Sequence, residues 1–280
     1  MRYVFFGSPA FAAAVLGQLI SAGLPPVALV CNPDKPVGRK KVLTPPDTKK
    51  LVANGKSPII VYQPKNKSEL SAIGDKLSSG ADFGIVAAYA LIIPDSFIKS
   101  FKLGILGVHP SLLPKYRGAS PIQSAILASD IKTGTTLFML DSEVDHGPIV
   151  ASKEWGIGSE YYEELADRLA GISGKLLVEI LPDFSEGKLI PQEQNHALAT
   201  MTKKFETEDA YIEPEDLKQA QAGNSSKAEE ILRKIRALNP EPGVFTFIDG
   251  KRTKLLRASI DGDKLILERI QREGKNPINL

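Results

Sequence analysis

The sequence predicts an α/β protein: a mostly parallel sheet covered by helices, followed by a small C-terminal β domain. Three observations support this fold class. The chain has 280 residues, which exceeds a typical single domain. Short apolar runs alternate with helical patterns through the first two thirds of the chain, as in a sheet with crossover helices. After residue 244 the pattern changes to β-like runs separated by Asp-Gly turns, which predicts a small meander or barrel.

Each predicted strand is a short apolar run that ends at turn residues or at a helix start. In the first domain these runs are residues 3–6, 27–30, 59–61, 83–86, 105–108 and 135–140. Helices are predicted to begin near Pro9, Ser68, Asp95 and Ser120, where proline or a capping residue stands, and a long helix is predicted over 161–180. The tail predicts strands at 244–248, 253–260 and 265–270. We therefore expect a domain over 1–187, a linker over 188–205 and a shortened β-barrel-like domain over 206–280.

The composition excludes several classes of protein. Hydrophobic residues make up 42% and charged residues 24% of the chain, which is enough for a sizeable core. The net charge of +2 gives no global field for nucleic acid, so any such affinity needs local clustering. The single cysteine, Cys31, excludes an intramolecular disulfide framework and a cysteine-based zinc cluster. The first apolar run is too short for a signal peptide or a membrane span, so we expect a soluble protein. The single cysteine suits a reducing compartment, so we expect a cytoplasmic location. We also expect a monomer without a bound metal.

One segment concentrates basic charge. Between residues 34 and 56 there are seven basic and two acidic residues, and the connection over residues 32–46 is longer than a usual strand-to-helix loop. Loops of this length tend to be functional, and Arg39, Lys40 and Lys41 suit contacts with phosphate. The alternative is a solvated loop, which is what most charge runs are.

Two polar groups follow predicted strands. His109 stands at the carboxyl end of one strand, where open α/β sheets place their ligands. A histidine there can titrate, donate a hydrogen bond or merely cap the sheet. Asp145 follows another strand, and we choose it as the acid that could hold the histidine in one tautomer. The reason is that the nearby Gly147 permits a tight backbone that aims the carboxylate inward. Asp141 and Glu143 are interpreted as surface charges. A glycine fingerprint for a nicotinamide cofactor or ATP is absent.

Six sequence blocks together resemble one family, the folate-dependent formyltransferases. The blocks cover nearly the whole chain, and the most specific is His-Pro-Ser-Leu-Leu-Pro-Lys-Tyr-Arg-Gly at 109–118. They lie at residues 4–9, 34–39, 87–89, 109–123, 145–147 and 235–243. The resemblance implies a Rossmann-like formyltransferase domain followed by a small OB-like barrel.

The resemblance also implies a reaction. The formyl group of 10-formyltetrahydrofolate passes to the α-amine of the methionine esterified to initiator tRNA, for translation initiation. Attack of the amine on the formyl carbon creates an oxyanion, and the amine must lose a proton. Such an enzyme needs hydrogen-bond donors for the oxyanion and an acceptor for the proton, but neither a covalent nucleophile nor a metal.

The family's catalytic set is an Asn-x-His pair and a downstream Asp, which implies roles for His109 and Asp145. Gly107 stands at the position of the Asn and offers only backbone. Losing one oxyanion donor typically costs on the order of a hundredfold in rate. Three outcomes are open: the His109 imidazolium, a water or a backbone N–H replaces the amide; the enzyme is slow but sufficient; or the protein binds folate without turnover. What fills the space beside Gly107 is also open.

Binding residues are implied in the same way. The folate-contacting residues would be Ser111, Leu112, Leu113 and Pro114, with Ala88, Tyr89 and Leu91 on the opposite wall. The alternative for these apolar residues is ordinary core packing. The residues that reach the tRNA acceptor end would be Arg39, Lys40 and Lys41, with Arg39 the strongest candidate because it lies in a matched block.

Two other functions compete with this one. A formyltransferase acting on a nucleotide-linked amino sugar shares the His and Asp arrangement, but a small sugar nucleotide does not need the basic insertion. A catalytically weak folate- or RNA-binding homologue is motivated by Gly107. Formyl transfer to charged initiator tRNA, tested beside nucleotide amino sugars, distinguishes the three.

Overall fold

A computed structural model describes residues 1–38, 40–55 and 58–280. No helix in these ranges has both the length and the apolar character needed to cross a membrane. By the density of its contacts the described chain divides into two compact units. The first comprises residues 1–117, 134–155 and 166–200, and the second comprises residues 118–133, 156–165 and 201–280.

Strands occur in both compact units. In chain order they are β1 (Tyr3–Phe6), β2 (Ala28–Val30), β3 (Lys35–Val37), β4 (Val42–Thr44), β5 (Ile60–Tyr62), β6 (Phe83–Ala87), β7 (Ile105–His109), β8 (Arg117–Gly118), β9 (Lys132–Met139), β10 (Ile149–Gly156), β11 (Met201–Thr202), β12 (Phe245–Ile248), β13 (Lys251–Asp261), β14 (Lys264–Arg272) and β15 (Ile278–Asn279).

The α-helices are interspersed among these strands. They are α1 (Ala10–Ser21), α2 (Asp47–Ala53), α3 (Lys67–Ala72), α4 (Gly74–Ser78), α5 (Asp95–Ile98), α6 (Pro121–Leu127), α7 (Tyr162–Ser185), α8 (Pro214–Ala222) and α9 (Ser225–Leu238). Every strand predicted for the first domain overlaps an observed one, and the long closing helix is α7.

The main sheet has the strand order β10-β9-β7-β6-β1-β2-β5. The strands from β7 to β5 in that order pair in parallel, with β1 in register with β6 on one side and β2 on the other. β9 runs antiparallel to β7, so the mostly parallel sheet has an antiparallel edge. An apolar run has the same composition in either direction, which is why the sequence pattern does not reveal the reversal.

Two apolar cores cover the faces of this sheet. On one side Phe5, Leu29 and Ile85 are fully buried with α1 and the later part of α7. On the other side Phe6 and Phe97 pack edge to face, with ring centroids 5.9 Å apart. The core side of α1 is made of apolar residues spaced by three and four, which is one face of a helix: Ala12, Val15, Leu16 and Leu19.

The second unit contains an antiparallel sheet of strand order β12-β13-β14-β15. The predicted small C-terminal β domain is confirmed as an antiparallel sheet. Among the described residues the strand order is linear, as in a meander, with β12 and β15 at its edges. α9 buries Ile231, Ile235 and Leu238 and contacts α6, α8, β13 and β14. Its first turn is capped by Asn224, whose side chain accepts from the Lys227 N–H.

The long basic connection after β2 is more regular than the sequence predicts. β3 and β4 form an antiparallel hairpin, and α2 follows it. The Lys41 N–H donates to the Gly38 carbonyl at 3.1 Å, and both residues have positive φ. We call residues 35–44 the basic hairpin.

Candidate active site

His109 is the last residue of β7, and its side chain is buried, with 7% exposed. Its ring nitrogen Nε2 lies 2.8 Å from the carbonyl oxygen of Tyr116. A carbonyl oxygen accepts hydrogen bonds and cannot donate them, so Nε2 carries a hydrogen. The other ring nitrogen, Nδ1, is therefore the one that gains or loses a proton.

The Asp145 carboxylate faces that nitrogen. Its Oδ2 atom lies 3.4 Å from His109 Nδ1, and the Asp145 side chain is 20% exposed. When Nδ1 carries a proton, the pair is an imidazolium beside a carboxylate. The arrangement thus lets Nδ1 take up a proton next to a stabilising negative charge.

The route that brings Asp145 to His109 differs from the prediction. The sequence predicts each group after the end of a strand. Because β9 is antiparallel to β7, its last residue, Met139, pairs with Leu106, three residues before His109. The connection over residues 140–148 then carries Asp145 back to the end of β7. The two side chains thus meet through this connection and not at the ends of two parallel strands.

The space beside Gly107 is filled by apolar side chains. Gly107 lies in the middle of the sheet, paired with Val86 on one side and Phe138 on the other. A Cβ added at Gly107 would overlap the Phe138 ring and would lie 2.7 Å from Leu140 Cδ1. A side-chain amide therefore does not fit here, and neither does a trapped water at the same point.

The segment after His109 is fixed by internal hydrogen bonds. Ser111 is buried, and its hydroxyl donates to the Lys115 carbonyl at 2.6 Å. The Leu113 N–H donates to Thr136 Oγ1 at 3.1 Å, which ties the segment to β9. Leu113 is buried, and Leu112 and Pro114 are half-buried. Ser111 and Leu113 thus have structural roles in the described chain, whether or not folate contacts the segment.

The residues expected on the opposite wall follow β6. Ala88 is exposed with a φ of 48°, and Leu91 packs against an apolar cluster that includes Phe6. The Tyr89 hydroxyl is buried and has no hydrogen-bond partner among the described residues. Burial raises the pKa of Tyr89, so the hydroxyl keeps its hydrogen and remains a donor.

Sequence reasoning missed a group of residues in the predicted linker. Gln194 is buried, and its side chain contacts Arg117 and the backbone of the Asp145 loop. His196 lies 2.8 Å from Arg117 and stacks on His146. The local sequence gives no signal for these contacts, since a buried glutamine in an irregular segment has no periodic pattern.

Asp141 also differs from its interpretation as a surface charge. Its Oδ2 atom lies 2.7 Å from His146 Nδ1, and its Oδ1 atom accepts from the Glu143 N–H at 2.9 Å. The carboxylate thus ties the start of the loop that carries Asp145. Glu143 itself is exposed, as expected.

The basic hairpin is exposed, but its base is anchored. Lys40 and Lys41 are exposed, and Arg39 lies outside the described residues. At the base, Lys49 Nζ donates to both carboxylate oxygens of Asp34, at 2.8 and 2.9 Å, and to Gln63 Oε1. Gln63 Nε2 also donates to Asp34 Oδ1 at 2.8 Å. The hydrogen bonds that Asp34 accepts, first from Lys49 and then from Gln63, lower the pKa of its carboxyl group.

Comparisons with known proteins identify the family. Residues 1–181 match the Formyl transferase family, and residues 224–265 match the family described as Formyl transferase, C-terminal domain. The chain is 36% identical over 261 residues to a methionyl-tRNA formyltransferase of Chloroflexus aurantiacus, covering 93% of this chain and 80% of the relative. It is 35% identical over 279 residues to the methionyl-tRNA formyltransferase of Thermotoga maritima, covering 98% and 85%. The chain belongs to the methionyl-tRNA formyltransferase family.

Several solved structures have the same fold. The methionyl-tRNA formyltransferase from Clostridium thermocellum matches with a TM-score of 0.59 and 18% identity, over 97% of this chain and 98% of that chain. An N-formyltransferase from Helicobacter canadensis, in complex with folinic acid and dTDP-3-aminofucose, matches with a TM-score of 0.64 and 17% identity, over 93% and 88%. HypX from Aquifex aeolicus in complex with tetrahydrofolic acid matches with a TM-score of 0.66 and 16% identity, over 100% of this chain but 46% of that chain. At these identities the likeness concerns the fold.

Proposed function

We propose that this chain transfers the formyl group of 10-formyltetrahydrofolate to the α-amine of the methionine on initiator tRNA. The observation that carries the proposal is the fixed orientation of His109, whose Nδ1 faces Asp145 at 3.4 Å at the end of β7. We call His109 and Asp145 the catalytic pair. Membership of the methionyl-tRNA formyltransferase family supports formyl transfer as the reaction in which this pair would act.

In this proposal His109 accepts the proton that the amine must lose. Nε2 is held by the Tyr116 carbonyl, so a proton that arrives at the ring goes to Nδ1. Asp145 then stabilises the imidazolium and keeps the ring from turning. Because His109 is buried, few waters compete for that proton.

The oxyanion needs a donor other than a side chain at position 107. Phe138 and Leu140 fill that space, which counts against a water at the same place. The sheet also pairs the Gly107 strand on both sides. Of the three replacements, a backbone N–H is the one we favour, because His109 Nδ1 faces Asp145 and takes up the amine proton, and Nε2 is held by the Tyr116 carbonyl.

The donor and the acceptor bind to different parts of the first unit in this proposal. The folate would lie against the backbone of the segment 111–114 and the wall formed by Ala88, Tyr89 and Leu91, and when bound it supplies an activated formyl carbon. Lys40 and Lys41 of the basic hairpin would contact the tRNA phosphates. Arg39, which precedes Lys40 in the sequence, would do the same.

The test is a transfer assay on several acceptors with the same donor. We expect formylation of methionyl initiator tRNA, dependent on 10-formyltetrahydrofolate, and at least about a hundredfold lower kcat/KM with nucleotide-linked amino sugars. Uncharged initiator tRNA is the matched control, since it lacks the amine. Preferred transfer to an amino sugar, or folate binding with no transfer to any acceptor, overturns the proposal.

A further inference from the structure

The loop that carries Asp145 has a strained backbone. Asp145 has a φ of 50°, in the left-handed region that residues with a side chain rarely adopt. Two residues later, a Cβ on Gly147 would overlap the carbonyl oxygen of Met139. A loop with this conformation needs contacts from outside it to remain in place.

Gln194 supplies two of those contacts. Its Nε2 donates to the carbonyl oxygen of Asp145 at 2.9 Å and to that of Gly147 at 2.8 Å. Its Oε1 accepts from Arg117 Nη2 at 2.7 Å and from Arg117 Nε at 3.2 Å. The orientation of the amide is unambiguous, because arginine only donates and the two carbonyls only accept. Gln194 is 4% exposed, so water does not readily replace these bonds.

Residues on both sides of Gln194 hold it against the loop. Two residues earlier, the backbones of Gln192 and Ile149 exchange hydrogen bonds of 2.8 and 2.7 Å. Two residues later, the His196 ring stacks on His146 with centroids 4.1 Å apart. The segment 192–196 therefore follows the Asp145 loop closely and presents the Gln194 amide at one position.

We infer that Gln194 is a positioning residue for Asp145. By fixing the carbonyls on both sides of His146, it sets where the Asp145 carboxylate lies relative to His109 Nδ1. Gln194 does not touch the reacting atoms in this inference; it acts through the loop backbone. The kinetic part of the inference rests on the proposed function, and the structural part does not.

The chain offers a matched pair of variants. Gln194→Glu keeps the shape of the side chain and the acceptor for Arg117, but it removes both donors and faces two carbonyl oxygens. Gln192→Glu makes the same chemical change at an exposed side chain whose bonds to Ile149 come from the backbone. Gln194→Met removes the amide without adding charge and serves as the second variant should Gln194→Glu not fold.

We expect kcat of Gln194→Glu and Gln194→Met to fall by about tenfold to a hundredfold, since misplacing a catalytic group by an ångström has effects of that size. KM for both substrates should change less than about threefold, because the folate wall and the basic hairpin are untouched. Gln192→Glu should retain wild-type kinetics. A rise in KM as large as the fall in kcat overturns the inference. A wild-type kcat in both Gln194 variants also overturns it.

A readout without turnover separates this inference from the proposed function. The NMR chemical shifts of the His109 ring report the position of the neighbouring carboxylate, so at one fixed pH they should move in both Gln194 variants and stay in place in Gln192→Glu. If the wild-type protein transfers no formyl group but the shifts move as stated, the proposed function fails and the positioning role stands. If transfer occurs and the shifts are the same in all four proteins, the positioning role fails.

Discussion

The catalytic pair and the basic hairpin lie in the same compact unit but are built in opposite ways. His109 is buried at the end of a central strand, and backbone and side-chain partners fix its ring. Lys40 and Lys41 are exposed at a two-stranded hairpin. A buried pair can place a proton to within a fraction of an ångström, whereas an exposed hairpin can follow a large substrate.

The difference predicts how changes in each region affect the kinetics. A change in the catalytic pair acts on the transition state, so it should lower kcat with little effect on either KM. A change in the basic hairpin acts on the capture of tRNA, so it should raise the KM for tRNA and leave the folate KM alone. A variant of the pair that mainly raises a KM, or a variant of the hairpin that mainly lowers kcat, would show that the two regions do not divide the function in this way.

The largest effect is expected for Asp145→Asn. The amide keeps the size of the side chain and removes the charge that faces His109 Nδ1, so kcat should fall by about a hundredfold to ten-thousandfold. The measurement is steady-state formyl transfer with both KM values determined. The matched control is Asp141→Asn, the same change four residues earlier in a carboxylate that binds His146 instead.

Equal losses in Asp145→Asn and Asp141→Asn would mean that the loop needs its negative charge for folding rather than for proton transfer. A KM that rises as kcat falls would place Asp145 in substrate binding. Either result breaks the proposed assignment of the pair.

The second-largest effect is expected on the free energy of unfolding, from a change in the packing around Gly107 in β7. Gly107→Ala forces a methyl group against Phe138 and Leu140, and overpacking of this kind costs about 1–3 kcal/mol of unfolding free energy. Gly171 in α7 is the matched control, because a Cβ there meets nothing within 4 Å. Gly171→Ala should stabilise the protein by up to about 1 kcal/mol through its helix propensity. Denaturant unfolding of both variants measures the difference.

A second substitution sharpens this test. If Phe138 is what excludes a side chain at position 107, then Gly107→Ala should cost less in a Phe138→Ala background than in the wild type. Additive effects of the two substitutions would mean that another part of the chain limits the space.

The sequence predicts the strands, because short buried strands leave local apolar patterns, and it singles out His109, which stands at the end of one of them. Asp145 lies six residues beyond the end of β9, so its place beside His109 depends on the path of the connection. The sequence did not predict that β9 runs antiparallel to β7, since strand direction depends on the connection and not on composition. It also did not predict Gln194, whose role depends on contacts with residues 47 and 49 positions away. The filling of the space beside Gly107 by Phe138 likewise depends on cross-strand pairing, which no local pattern encodes.

The smallest effect is expected for the exposed lysines of the basic hairpin. Lys40→Gln and Lys41→Gln should each raise the KM for tRNA by about threefold at moderate salt, with kcat and the folate KM unchanged, because one phosphate contact changes affinity by about that factor. The slope of log affinity against log salt concentration should fall by about one unit for each contact removed. Lys99→Gln is the control, since Lys99 is an exposed lysine on the end of α5 that pairs with Asp95. A salt slope unchanged in the hairpin variants, or reduced equally in Lys99→Gln, would show that the charge of the hairpin does not bind tRNA, and recognition would then have to come from the rest of the chain.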